Sequence, residues 1–226
     1  MGEPVLWVGG WASGLACWRG ELESLYSGRP HAFLDAHEVL ADPGRLSRAA
    51  AELPPEGVLV AWSLGSLLLH ARLAAGEAFN CRLLSLSPIF DFCCAGGPWP
   101  REAVFRMIRK LPKARADVLG EFWKLAKGNT SVTPSMESEW LDQSHGYPLD
   151  ALLDGLETLV EVRVDRGDTV FSPSGDGIRF LASPFDPVAS MPEGTGWGTN
   201  WTRFPKGHLP FLEYHEILRP MLEARP

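Results

Sequence analysis

Short apolar runs alternate with longer amphipathic stretches over the first 90 residues. The apolar runs have the length of buried strands and occupy 5–10, 31–37, 58–62 and 81–88. The stretches between them have the length and spacing of helices and lie around 16–26, 43–53 and 64–76. Strands that alternate with helices in this way form a parallel sheet with right-handed crossovers. The pattern therefore predicts an α/β fold.

The alternation stops between about residues 90 and 160, where the pattern predicts only helices. The three clearest of these helices cover 99–112, 113–127 and 148–159. The chain then returns to two strands and a terminal helix, at 177–186, 200–210 and 211–224. We therefore divide it into the first part of a core, a helical insertion and the last part of the core, at 1–90, 91–160 and 161–226.

Composition restricts the class of protein. A hydrophobic fraction of 45% and a charged fraction of 22% are ordinary for a globular domain, and a net charge of −7 disfavours nucleic-acid binding. No apolar stretch is long enough to cross a membrane, and the first residues do not have the pattern of a signal peptide. The four cysteines lack zinc-site spacing and are interpreted as reduced thiols. We expect a cytoplasmic monomer.

The charge is unevenly distributed along the chain. Residues 101–127 hold eight basic and three acidic residues, which leaves −12 for the rest of the protein. The basic residues are Arg101, Arg106, Arg109, Lys110, Lys113, Arg115, Lys124 and Lys127. If the first insertion helix continues to Pro112, the four from Arg106 to Lys113 share one face. That face is either a docking surface or a solvated helix face, and the charges alone favour the second.

Ser63 stands between a strand and a helix, with the small residues Ala61 and Gly65 two positions away on each side. This pattern is typical of a nucleophile elbow, in which a sharp turn presents the serine hydroxyl at the edge of the sheet. The alternative is that Ser63 only caps the helix. In the elbow, the backbone N–H groups of Leu64 and of Trp11, after the first strand, would bind the oxyanion.

A serine hydroxyl needs a base, and the base needs an acid that orients it. Because the chain order in elbow hydrolases is serine, acid, histidine, we expect His208 to be the base among the six histidines. Asp186 follows the strand before it and is the expected acid. Asp91, which follows the fourth strand, is the alternative acid.

Several segments together resemble the α/β-hydrolase superfamily and, within it, the pimeloyl-[acyl-carrier protein] methyl ester esterases of biotin synthesis. The similar segments are GGWASGLACWRGEL, AWSLGSLL, LLDGLETLVEV and GHLPFLEYHE, in the same order from about Val5 to Glu216. The chain differs from the superfamily pattern at Gly9, Ala61 and Ser66, and it lacks the usual N-terminal hairpin. The resemblance implies a reduced, mostly parallel sheet with helices on both faces and a helical lid inserted before the last two strands.

The resemblance also implies a function. Ser63, Asp186 and His208 would form the triad of a serine carboxylesterase that cleaves the methyl ester of a pimeloyl chain through an acyl-enzyme, without cofactor or metal. The partner would be an acidic acyl-carrier protein that docks on Arg101, Arg106, Arg109, Lys110 and Lys113. Two alternatives stay open: a general hydrolase of small esters or thioesters, and an inactive hydrolase-fold binding protein.

Overall fold

A six-stranded parallel sheet forms the centre of the computed structural model, which describes residues 2–94, 97–164, 177–189, 200–205 and 207–223. The strands are β1 (Val5–Val8), β2 (His31–Leu34), β3 (Val58–Trp62), β4 (Arg82–Leu86), β5 (Arg179–Ala182) and β6 (Trp201–Arg203). Their order across the sheet is β2-β1-β3-β4-β5-β6. Every residue of β1 and β3 is buried, as expected for strands with helices over both faces.

The helices around the sheet are mostly short. Before the insertion lie a 3-10 turn (Leu15–Trp18) and the helices α1 (Arg19–Leu25), α2 (Ala36–Ala41), α3 (Arg45–Ala51) and α4 (Leu64–Ala74). The insertion contains α5 (Arg101–Lys110), α6 (Arg115–Lys127), α7 (Pro134–Gly146) and α8 (Leu149–Glu161). The C-terminal part ends with α9 (Pro210–Glu213) and α10 (His215–Glu223). None of the helices in the described ranges is long and apolar enough to span a membrane.

The strand order reverses between β1 and β3. From β1 the chain crosses to β2 on one side, then returns to place β3 on the other side of β1, where Val8 pairs with Ala61. Ligands of open α/β sheets bind at such a switch point, outside the carboxyl ends of the strands. The residues that follow β1 and β3, Gly9 and Ser63, therefore mark the expected site.

The insertion packs into the same hydrophobic core as the sheet. Buried residues of α6, α7 and α8, such as Trp123, Trp140 and Leu152, belong to one cluster with the residues of β1 and β3. Trp123 and Trp140 stack with ring centroids 4.6 Å apart and join α6 to α7. The two ends of the insertion are linked by an isolated antiparallel bridge between Asp91 and Arg163.

Several predicted element boundaries are wrong. The last strand, predicted over 200–210, is only β6 and ends at Arg203. The strand predicted over 31–37 ends at Leu34, because Asp35 forms a capping box with Glu38 and starts α2. The helix predicted over 43–53 corresponds to α3, and the separate helix α2 before it was not predicted. The first insertion helix ends at Lys110, and Lys113 therefore lies beyond α5 instead of on its face.

Candidate active site

Ser63 lies at a sharp turn between β3 and α4. Its φ of 56° and ψ of −119° are unfavourable for a residue with a side chain, at a cost of about 1–3 kcal/mol. A Cβ at Gly65 would lie 2.5 Å from the carbonyl oxygen of Gly9 and 2.9 Å from that of Val8, so only glycine permits this approach. The Ser63 side chain makes no hydrogen bond that caps α4. The turn instead presents its hydroxyl to His208.

An unbroken chain of hydrogen bonds joins Ser63, His208 and Asp186. Nε2 of His208 lies 3.0 Å from Oγ of Ser63, and Nδ1 lies 2.9 and 3.0 Å from the two carboxylate oxygens of Asp186. All three residues are buried, with exposed fractions of 3% for Ser63, 1% for Asp186 and 0% for His208. Because an ionised carboxylate only accepts, Nδ1 carries the proton and Nε2 is left to accept from the serine.

Backbone amides fix the orientation of the Asp186 carboxylate. Its Oδ1 accepts hydrogen bonds from the N–H groups of Val188 and Ala189, both at 2.8 Å. These two bonds satisfy a buried charge that would otherwise be costly, and they hold it in the position that faces His208. The acid lies in the turn that follows β5, beyond Ala182, whereas the strand predicted over 177–186 would have ended at Asp186 itself.

Trp62 connects the nucleophile strand to the base. Its Nε1 donates to the carbonyl oxygen of His208 over 2.8 Å, and the two rings lie 5.2 Å apart. Trp62 is the residue directly before Ser63, and it is buried at the end of β3. The backbone of the base is thus attached to the strand that carries the nucleophile. Sequence reasoning did not identify this role of Trp62.

The two expected oxyanion donors flank Ser63. Leu64 is the first residue of α4, where a backbone N–H has no partner within the helix. A Cβ at Gly10 would lie 3.2 Å from Cβ of Ser63, so the loop that carries Trp11 passes directly beside the nucleophile. Trp11 and Leu64 both line one cavity of about 250 Å³, open mouth included, between the loop, α2 and α8. Both segments that carry the expected donors therefore border this cavity.

Solved structures share this architecture along nearly the whole chain. An esterase from Exiguobacterium antarcticum is similar with a TM-score of 0.79 and 14% identity, over 99% of this chain and 92% of that one. An esterase from Rhodococcus sp. ECU1013 has a TM-score of 0.72 and 18% identity, with 99% and 91% of the two chains covered. A bromoperoxidase from Bacillus anthracis has a TM-score of 0.72 and 15% identity, with 99% and 93% covered. The chain has the α/β-hydrolase fold.

No protein-family model and no curated protein matches this sequence. The predicted α/β-hydrolase fold is nevertheless confirmed by the structural similarity. None of the three structures named above is a pimeloyl methyl ester esterase, so that closer resemblance stays a prediction.

Two of the three residues that depart from the usual α/β-hydrolase pattern, Gly9 and Ser66, have a local role. A Cβ at Gly9 would lie 2.8 Å from the carbonyl oxygen of Ser13, so the tight loop after β1 excludes a larger residue. Ser66 donates from Oγ to the carbonyl oxygen of Ser63 over 2.6 Å and accepts from the N–H of Ile89 over 3.0 Å. The hydroxyl of Ser66 therefore ties the elbow of this hydrolase fold to the loop after β4.

Asp91 lies outside the hydrogen-bonded triad. Its Oδ2 is 3.6 Å from Nε of Arg163, and its backbone forms the bridge to the same residue. The half-buried Asp91 carboxylate thus links the two ends of the insertion. Of the two candidate acids, Asp186 is the one that the fold brings to His208.

The predicted docking residues differ in their surroundings. Arg101, Arg106, Arg109 and Lys113 are exposed, and none of them forms an ion pair with another residue of the described ranges. Lys110 is paired instead, with Nζ 2.9 Å from a carboxylate oxygen of Glu121. Phe105 is 40% exposed on the same helix, and the Arg101 guanidinium lies 5.9 Å from the centre of its ring. The surface of α5 is therefore basic with one exposed aromatic side chain.

Proposed function

We propose that this protein is a serine carboxylic ester hydrolase with Ser63 as its nucleophile. The proposal depends on the buried hydrogen-bond chain from Ser63 through His208 to Asp186, at a strained elbow beside a cavity. Activation of a serine hydroxyl requires this arrangement, and backbone strain at a functional residue is typical of active sites. The esterase names of two similar structures agree with the proposal.

The chemistry follows from the positions of the donors and acceptors. As Oγ of Ser63 attacks the ester carbonyl carbon, Nε2 of His208 takes the hydroxyl proton and Asp186 stabilises the resulting imidazolium. The tetrahedral oxyanion accepts from the N–H groups of Trp11 and Leu64. Its collapse breaks the bond to the alcohol, which leaves with the proton from His208. Water, deprotonated by His208, then cleaves the acyl-enzyme and regenerates Ser63.

Hydrolysis of a short p-nitrophenyl ester tests the proposal, with Ser63→Ala beside the wild type. Ser87→Ala is a matched control. Ser87 is also a buried serine with positive φ after a parallel strand, yet its hydroxyl has no hydrogen-bond partner among the residues that the structure describes. We expect loss of activity for Ser63→Ala only. Labelling with a fluorophosphonate, located by peptide mass spectrometry, should modify Ser63. Equal hydrolysis by wild type and Ser63→Ala would contradict the proposal, and absence of the label would favour the inactive binding protein.

As a finer proposal, the substrate is the methyl ester of a pimeloyl chain carried on an acyl-carrier protein, as in biotin synthesis. Two observations support it. The sequence resembles esterases of that step in four segments, and the exposed surface of α5 is basic on a chain with a net charge of −7. On such a protein the basic patch attracts an acidic carrier, while the acidic remainder of the surface repels it.

Charge reversal separates this substrate from free esters. Arg106→Glu with Arg109→Glu should lower kcat/KM for the carrier-linked ester about tenfold or more at low salt, because steering is lost, and should leave a free methyl ester unaffected. Arg19→Glu with Arg48→Glu changes the net charge equally at exposed residues of the core and is the matched control. An equal response of both esters would instead favour a general small-ester hydrolase. Growth of a biotin-requiring strain on this gene, lost with Ser63→Ala, tests the pathway.

A further inference from the structure

The oxyanion loop, which we define as residues 9–14, is held by helices of the insertion. Oγ of Ser144 in α7 donates to the carbonyl oxygen of Ala12 over 2.7 Å. Nε1 of Trp11 donates to the carbonyl oxygen of Leu152 in α8 over 2.9 Å. The Trp11 ring also packs edge-on against Phe122 of α6, with centroids 4.8 Å apart. Three helices of the insertion therefore contact two consecutive residues of the oxyanion loop.

Ser144 contacts the carbonyl oxygen of a residue with a strained backbone. Ala12 has a φ of 50°, a conformation that residues with a side chain rarely adopt without support from their surroundings. The Ser144 side chain is fully buried, and its hydroxyl also lies 2.7 Å from the carbonyl oxygen of Trp140, one turn earlier in α7. The single hydroxyl proton is therefore shared between the two carbonyl oxygens. The contact with Trp140 is usual for a serine inside a helix, whereas the contact with Ala12 is not a property of the helix. It joins two segments that are 132 residues apart.

The contact of α8 with the oxyanion loop depends on a glycine. A Cβ at Gly155 would lie 2.5 Å from Cδ1 of Trp11, which is closer than such atoms approach. The backbone of α8 can therefore pack directly on the indole ring. This packing and the hydrogen bond to Leu152 restrain the Trp11 side chain from α8, in addition to its contact with Phe122 of α6.

We infer that α7 and α8 hold the oxyanion loop in its catalytic conformation, with Ser144 and Gly155 as positioning residues for the backbone N–H of Trp11. This inference rests on the proposed function. A backbone donor contributes only if it is fixed where the oxyanion develops, and Trp11 is flanked by the residue that Ser144 binds. The insertion is then a part of the oxyanion site.

Ser144→Ala is the direct test. We expect kcat to fall about tenfold with little change in KM, because a misplaced donor weakens binding of the transition state more than that of the substrate. A trifluoromethyl ketone, which forms an oxyanion on Ser63, should lose affinity by the same factor. Thr133→Ala is the matched control, since it removes the N-cap of the same helix without touching the oxyanion loop. Gly155→Ala should reproduce the kcat effect from α8.

Amide hydrogen exchange distinguishes failure of this inference from failure of the proposed function. Exchange of peptides covering 9–14 should accelerate in Ser144→Ala and stay at the wild-type rate in Thr133→Ala. An unchanged kcat, or an equal loss of kcat in Thr133→Ala, overturns the inference while the ester hydrolase stands. If the wild type cleaves no ester, the proposed function fails. If amide exchange of residues 9–14 is also unchanged in Ser144→Ala, the stabilising contact between Ser144 and the oxyanion loop is contradicted as well.

Discussion

Replacing Asp186 with asparagine tests the triad with little change of shape. The amide oxygen of Asn can still accept the N–H groups of Val188 and Ala189, which lie 2.8 Å from Oδ1. The amide NH₂ group must then face Nδ1 of His208, which lies 2.9 Å from the other carboxylate oxygen. Since two donors cannot face each other, Nδ1 becomes the acceptor and the proton moves to Nε2. The base then cannot accept the proton of Ser63.

The expected loss is large because no alternative base lies within reach of the serine in the described structure. The same substitution in a serine protease triad lowers kcat about 10⁴-fold, and we expect a similar factor, about 5.5 kcal/mol of activation free energy. Steady-state hydrolysis of a short ester at pH 7 measures it. Asp91→Asn is the matched control and should stay within about twofold, because it removes only an ion pair on a half-buried carboxylate. A loss below about tenfold for Asp186→Asn, or an equal loss for Asp91→Asn, would refute this account of the acid.

Two further predictions concern stability. The free energy of unfolding of Ser63→Gly should be about 1 kcal/mol higher than that of Ser63→Ala, because glycine adopts positive φ without strain. Chemical denaturation of both variants measures this difference. Equal stabilities would contradict strain at the elbow. Burial raises the pKa of Cys81 to about 11 and also raises the pKa values of Cys17, Tyr26 and Tyr147. As the pH rises, the unfolded chain therefore loses these protons before the folded protein does. The melting temperature should fall above about pH 9, and it should fall less steeply in Cys81→Ala. A constant melting temperature from about pH 8 to 11 would contradict this prediction.

Much of the fold could be predicted because its strands are short, buried and separated by helices. The missed helices show the limits of apolar periodicity. α2 follows β2 with only Asp35 between them, and its capping-box spacing to Glu38 was the local pattern that could have revealed it. α7 is largely polar, with Trp140 as its only large buried apolar residue, so its apolar stripe is weak. Thr133 before Pro134 was the pattern that could have indicated its start.

In the candidate site too, residues next to regular strands could be predicted, whereas long-range contacts could not. Ser63 and Asp186 follow strands, and their position in the chain order is visible in the sequence. The contacts that hold these residues in place are not visible in the sequence. Trp62 binds the backbone of a residue 146 positions away, and Ser144 binds one 132 positions away. Neither residue has a spacing or neighbour that indicates such a partner, because tertiary packing alone brings these segments together.

The link between Trp62 and His208 affects how the site responds to motion. Since the indole N–H of the residue before the nucleophile holds the carbonyl of the base, a displacement of β3 carries both reacting groups in the same direction. The separation of Oγ from Nε2 therefore depends on β3 more directly than on the edge strand β6, although the loop with His208 follows β6 in the chain. Redesign of β6 or of the surface beyond it should therefore preserve the proton-transfer distance, whereas β5 must be kept because the turn after it carries Asp186.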